Sequence, residues 1–198
     1  MYFNIHGIFF TYLSSYRISI MEFEIVSDPL GVGKEGTVHM VRMENGYTCV
    51  MKQFKKTKSV NKLKKEASLQ KMAADIGISP AVLHVDETNK RIFMDGLPKK
   101  LLSHLKKYGW SNNIKIQIQN IMTQLDRIGV LHNDGNILNF MMNYSGKIFI
   151  IDFGFSKKID NKMRRTCLEK SNSTPNFKYT LNSLKRSLKH NNIIHNLD

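Results

Sequence analysis

The chain has 198 residues, 41% of them hydrophobic, with 30 lysines and arginines against 16 aspartates and glutamates. That length carries one well-buried core, or one core divided between two small lobes, and a net charge of +14 favours encounter with anionic partners: nucleotides, nucleic acid or acidic protein surfaces. Two cysteines, Cys49 and Cys167, supply neither a disulfide framework nor a paired metal motif, which fits a reducing compartment, and no apolar run reaches the roughly 18 residues of a membrane span.

Residues 1–20 are apolar but lack a basic leader and a small-residue cleavage site, so they read as an extension of doubtful role rather than an export signal. Met21 then opens onto L-G-V-G-K-E-G-T-V from Leu30 to Val38, whose Gly31, Gly33 and Gly36 stand in a G-x-G-x-x-G frame. Taken alone, that frame belongs to dinucleotide folds, kinases or chance. The β-branched run after it, then Asn45-Gly46, then Y-T-C-V-M-K-Q-F, reads as a hairpin closed by a type I′ turn. A strand following the glycines removes the Rossmann reading, in which a helix must open there. Residues 60–76 carry apolar positions at helical spacing, and A-V-L-H-V-D and K-R-I-F-M-D read as two strands about a turn at Glu87–Asn89.

Beyond Gly96 the pattern turns helical, with a short helix over 99–107 and a longer one over 112–128 whose Ile114, Ile118, Ile121, Met122 and Leu125 form one stripe. V-L-H-N-D-G-N-I-L-N-F-M-M and K-I-F-I-I-D-F-G-F read as a loop with two short strands joined through 143–146. The polar tail holds one amphipathic helix carrying Phe177, Leu181, Leu184 and Leu188. The cations fall in runs at 55–65, 99–107, 157–165 and 185–189, which read first as solvated faces and second as a nucleic-acid or protein-complex surface.

Several ordered motifs together resemble the protein kinase superfamily from Leu30 to about Ile159. The glycine stretch resembles the glycine-rich loop, C-V-M-K the third-strand lysine at Lys52, H-N-D-G-N-I-L-N the catalytic loop and I-D-F-G the metal-binding motif. The resemblance implies an α+β fold: a five-stranded antiparallel N-lobe with one helix (21–96) and a truncated, mainly helical C-lobe (97–198). It implies ATP and Mg²⁺ as cofactors. Leu30, Gly31, Val32, Gly33, Gly36 and Val38 would cover the nucleotide, Met94 and Asp95 would form the hinge at the adenine, and Lys52 would pair with Glu66 and the phosphates. Catalysis would fall to Asp134 as base with Lys52 and Asn139, while Asn139 and Asp152 would hold the metal. On the residues alone, Glu66 has a second reading as a surface partner of Lys62, and His132 reads as a packed imidazole bracing the loop.

The chain departs from the family pattern at Asn133, where an arginine is usual, at Asn136, where many serine/threonine kinases have a lysine, and after Gly154, where 44 residues remain. In this it is similar to compact atypical kinases, namely the kinase/ATPase of the tRNA-modifying KEOPS complex and the RIO kinases. The function expected is a cytoplasmic serine/threonine protein kinase acting on a protein or on itself, with a nucleus or a host cell as other locations. The alternatives are a nucleotide-binding or ATPase module in a protein or RNA complex, and a small-molecule kinase. A composition rich in Lys, Asn, Ile, Phe and Met is what an AT-biased genome produces, and it points to a large DNA virus or a parasite.

Overall fold

The computed structural model describes residues 22–194, so the expectations for residues 1–20 lie outside the described residues. Its first part is an antiparallel sheet built from β1 (Phe23–Ile25), β2 (Gly31–Val32), β3 (Gly36–Met43), β4 (Thr48–Phe54), β5 (Val82–Asp86) and β6 (Arg91–Met94). The order is β1-β3-β4-β6-β5, with β2 paired to β3. One strand more than expected is present, because the glycine stretch is itself extended and pairs Gly31 with Val38 and Val32 with Thr37.

The β3–β4 hairpin forms where Asn45-Gly46 places it, but the turn is not type I′. Only Gly46 has positive φ (82°), and Gly46 N–H donates to Met43 O while Met43 N–H donates to Tyr47 O. That is the longer loop in which one left-handed residue closes the turn. The Asn45 side chain accepts from Tyr47 N–H instead.

Helix α1 (Val60–Asp75) starts at Ser59, whose hydroxyl accepts from Lys62 N–H, and it stops at Gly77, whose φ of 74° suits glycine. It buries Leu63, Ala67, Leu69 and Ala73, and it also buries Glu66 and Gln70. Leu63 and Ala67 pack with Phe54, Ile92 and Met94 of the sheet. Leu69 and Ala73 join the larger core formed by the second half of the chain. One helix therefore fastens the sheet to the helical part.

That second part begins with β7 (Lys99–Lys100), α2 (Leu101–Tyr108), α3 (Asn112–Arg127, capped by Ser111) and β8 (Val130–Leu131). A 3₁₀ turn over Ile137–Asn139 leads into β9 (Phe140–Met142) and β10 (Ile148–Ile150), which form a small sheet with β7. A second 3₁₀ turn at Phe153–Phe155 precedes β11 (Lys157–Lys158), which pairs with β8. The tail differs from expectation. It holds α4 (Asn161–Ser171), which was not expected, and the amphipathic helix expected to carry Phe177, Leu181, Leu184 and Leu188, which runs without a break from a π-helical start over Asn176–Leu181 into α5 (Asn182–His190). Helix α4 was not foreseen because Cys167 is its one buried residue, which leaves no apolar stripe to read. No helix among the described residues is long and apolar enough to cross a membrane.

Candidate active site

Lys52 lies mid-strand in β4, directly opposite Val38 of β3, so the two side chains share one face of the sheet. A buried ammonium needs anions around it. Lys52 has them: its Nζ is 2.5 Å from Glu66 Oε1 and 2.9 Å from Asp152 Oδ1, with only 6% of the residue exposed. Glu66 reaches it because α1 turns that position inward, and Lys62 pairs instead with Glu35 at 2.7 Å. Burial alone would depress the Lys52 pKa, but the two carboxylates outweigh it and hold the ammonium above the ordinary lysine range. The same burial raises Glu66 against the pull of Lys52, with Asp152 and Glu35 adding to the rise. Asp152 moves the other way: burial would raise it, but the charge and hydrogen bond of Lys52 and the Gly154 N–H hold it low. The trio is a carboxylate–ammonium–carboxylate bridge joining β4, α1 and the loop after β10.

Asp152 and Asn133 both adopt left-handed backbone, with φ of 63° and 64°. Asn and Asp tolerate that region better than other non-glycine residues, which gives Asn133 a backbone reason for its identity. Between them sits His132, fully buried, with Nδ1 3.0 Å from Asp134 O and Nε2 3.0 Å from Ile151 O. Burial pushes its pKa down, the two carbonyls oppose that shift, and the ring lies wedged between the two loops. Its edge also meets Phe153 at 4.9 Å between centroids.

Asn139 Nδ2 donates to Asp134 O at 3.3 Å, which leaves the amide oxygen as its ligand-capable atom. Asp152 spends Oδ1 on Lys52 and on Gly154 N–H. One carboxylate and one amide oxygen make a hard, under-filled donor set, and that suits a Mg²⁺ ion taking its remaining ligands from phosphates and water. The residues fit the ion. Among the described residues no cluster of three or more His, Cys, Asp and Glu gathers as a self-sufficient metal cage.

The three glycines divide into two kinds. A Cβ on Gly36 would lie 2.1 Å from Gln53 O, so the β3–β4 pairing itself demands glycine there. A Cβ on Gly31 would meet nothing within 4 Å and one on Gly33 only Gly36 O at 3.9 Å, and neither residue has positive φ. Neither packing nor backbone asks for glycine at those two positions. The space over them is open to a group outside the chain. Leu30 and Val32 flank them and are exposed.

At the far side, Met94 is buried and its sulfur is 3.5 Å from Gln70 Nε2. Asp95 has its carboxylate taken by the Tyr47 hydroxyl at 2.6 Å and its N–H by Ala81 O at 3.0 Å, so its carbonyl is the group left to offer.

Sequence reasoning missed a second set of residues. Asn176, fully buried, accepts from His132 N–H at 3.1 Å and donates to Val130 O at 2.7 Å and Asp126 Oδ1 at 2.9 Å. Thr180 Oγ1 accepts from Asn133 N–H at 3.1 Å, and Ser187 Oγ from Ile137 N–H at 3.0 Å. The Thr174 hydroxyl closes the network on Asp126 Oδ2. A Cβ on Gly135 would lie 2.0 Å from Thr180 O, so the loop and the tail are in backbone contact. Glu35, inside the glycine stretch, was also missed: it is buried between Lys58 at 3.2 Å and Lys62 at 2.7 Å and ties that stretch to the start of α1. Its one sequence signal is an acid between glycines in a basic neighbourhood.

The antiparallel sheet with its buried lysine, the inward glutamate of α1 and the two aspartate loops define a kinase-like domain. Residues 80–178, half of the chain, match the family described as the ABC1 atypical kinase-like domain, and the chain belongs to it. The match takes in Met94, Asp95, Asp134, Asn139 and Asp152 and begins after Lys52 and Glu66. No curated protein matches the chain.

Proposed function

We propose that the protein is an ATP-dependent phosphotransferase of two-lobed, kinase-like build that transfers phosphate to serine or threonine of a protein. The observation that carries this reading is the Lys52 ammonium held between Glu66 and Asp152, in the same cross-strand row as Gly31, one of two glycines that neither packing nor backbone requires. Lys52 would hold the phosphates, and Asn139 and Asp152 the Mg²⁺, which supplies charge neutralisation at the transferring group. Asp134 would orient the acceptor hydroxyl and take its proton, with its loop fixed by His132 and Asn139.

Asn136 favours a second reading, an ATPase or nucleotide-binding module serving a protein complex. Its amide oxygen accepts from Leu138 N–H, and it puts no cation beside Asp134. Incubating the chain with labelled Mg-ATP and a generic protein substrate separates the two. Transfer that falls by on the order of 10²-fold or more in Asp134→Asn supports the kinase. Hydrolysis without transfer supports the ATPase. Mg-ATP binding with no turnover supports the nucleotide-binding module, and neither turnover nor nucleotide binding in the wild type would sink both.

A further inference from the structure

The ion pairs are unevenly distributed along the chain. Every cation in them, from Arg42 to Arg91, belongs to the first half. Residues 157–190 hold ten lysines and arginines against two carboxylates, Asp160 and Glu169, and among the described residues none of those ten makes an ion pair. Asp160 is already used to cap α4 through Met163 N–H. The excess is thus neither neutralised nor distributed at random.

Its placement relative to Asp134 is what matters. Lys157 and Lys158 form β11, opposite Leu131 and Val130, the two residues that run into His132, and both are exposed. Ser156 Oγ donates to His132 O at 3.1 Å and fixes that side of the loop. On the other side, α5 lies against the loop through Ser183, 2.9 Å from where a Cβ of Gly135 would be, and through Ser187 on Ile137 N–H. Arg186, three residues on from Ser183 and therefore on the same flank of the helix, is exposed. The catalytic loop lies between two cationic ridges.

We infer that these ridges, Lys157–Lys158 on one side and Arg186 on the other, are the docking surface for an acidic protein segment, which presents a hydroxyl to Asp134 with carboxylates before and after it. The inference rests on the phosphotransferase reading for the hydroxyl and on charge complementarity for the carboxylates. A single-stranded nucleic acid is the competing polyanion, and such strands are held by aromatic platforms set among the cations. β11, α4 and α5 contain no Phe, Tyr or Trp. The exposed aromatics beside them are Phe155, two residues before Lys157, and Tyr179, whose ring has Lys178 Nζ 5.6 Å over it.

The test is fluorescence anisotropy with the full chain and three labelled probes: a peptide with serine flanked by Asp and Glu, its Asn/Gln analogue, and a single-stranded RNA of equal charge. The acidic peptide is expected to bind tightest, to weaken as salt rises, and to lose about tenfold in affinity in Lys157→Glu/Arg186→Glu, a variant whose circular dichroism and melting should match wild type. Equal binding of the neutral analogue, tighter binding of the RNA, or no effect of the charge reversal in a folded variant would each overturn the inference. A thermal shift with Mg-ATP is run alongside. Peptide binding without any nucleotide shift would leave the docking surface standing and remove the phosphotransferase, and the converse result would do the opposite.

Discussion

Glycine is costly to replace where the backbone needs positive φ or where something must pass close to it, and cheap where neither holds. Gly36→Ala would drive a Cβ to 2.1 Å from Gln53 O, which is backbone and cannot step aside, so the β3–β4 ladder should distort. A loss of about 1–3 kcal/mol or more is expected, read as a lower urea midpoint. Gly31→Ala meets open space and should leave that midpoint within about 0.5 kcal/mol of wild type. Its effect belongs elsewhere: on the proposed nucleotide site, the melting-temperature rise produced by Mg-ATP should shrink, because the added methyl would stand where the phosphate oxygens would approach. If Gly31→Ala kept the full nucleotide shift, the cradle would not lie over β2. Gly154 is an intermediate case, since a Cβ there would come to 3.2 Å from Asp152 Oδ1 and 3.3 Å from Glu66 Oε2, both side-chain atoms.

The loop that carries Asp134 is a short irregular element, and such elements depend on their neighbours for hydrogen bonds. Here its amides are taken by side chains of the tail, 44 residues away for Asn176 on His132 and 47 for Thr180 on Asn133. Thr180→Val keeps the shape and deletes the hydroxyl, leaving Asn133 N–H without its partner and Asn176 Oδ1 with His132 N–H alone, at a cost of about 1–3 kcal/mol. The sharper consequence is expected in turnover. A fall in kcat with little change in KM, together with faster amide exchange at Asn133, would mark loosened positioning, and unchanged exchange would refute the buttress. Such distances also explain what the sequence could disclose. Lys52, Asp134, Asn139 and Asp152 sit in local motifs, and the apolar periods of α1 and α3 place those helices within a residue or two. The role of Asn176 depends on meeting Asp126 across 50 residues, in a π turn that follows no 3.6-residue period. Helix α4 fails for a related reason, since it stands with one buried residue and solvated cations.

At the scale of the whole chain, stability should fall on both sides of neutrality, and the groups responsible differ. On the acid side, burial would raise Glu35 and Asp86, but Lys62 and Lys58 hold the first low, and the bonds from Asn89 with the charge of Arg91 hold the second low. Asp152 is depressed as well. A depressed carboxylate contributes stability that is complete above its unfolded pKa and is lost as pH falls through the folded one. Glu66, raised by burial, runs against the three and softens the limb. On the alkaline side, burial lifts the Cys49 thiol from 9.0 to about 11, with the Asp95 charge adding to it. Burial and the Asp95 hydrogen bond lift Tyr47 from 10.0 to about 12. Here the unfolded chain loses its proton first, so stability present below pH 9 is withdrawn between 9 and 11 by Cys49 and between 10 and 12 by Tyr47. Tyr47→Phe should therefore flatten the melting-temperature profile over its own window while leaving the acid limb untouched. Cys49→Ala should lower the whole curve through the cavity it opens and flatten the window from 9 to 11. Melting curves at fixed ionic strength decide it: variant profiles parallel to wild type above pH 9 would mean that neither group is held protonated by the fold.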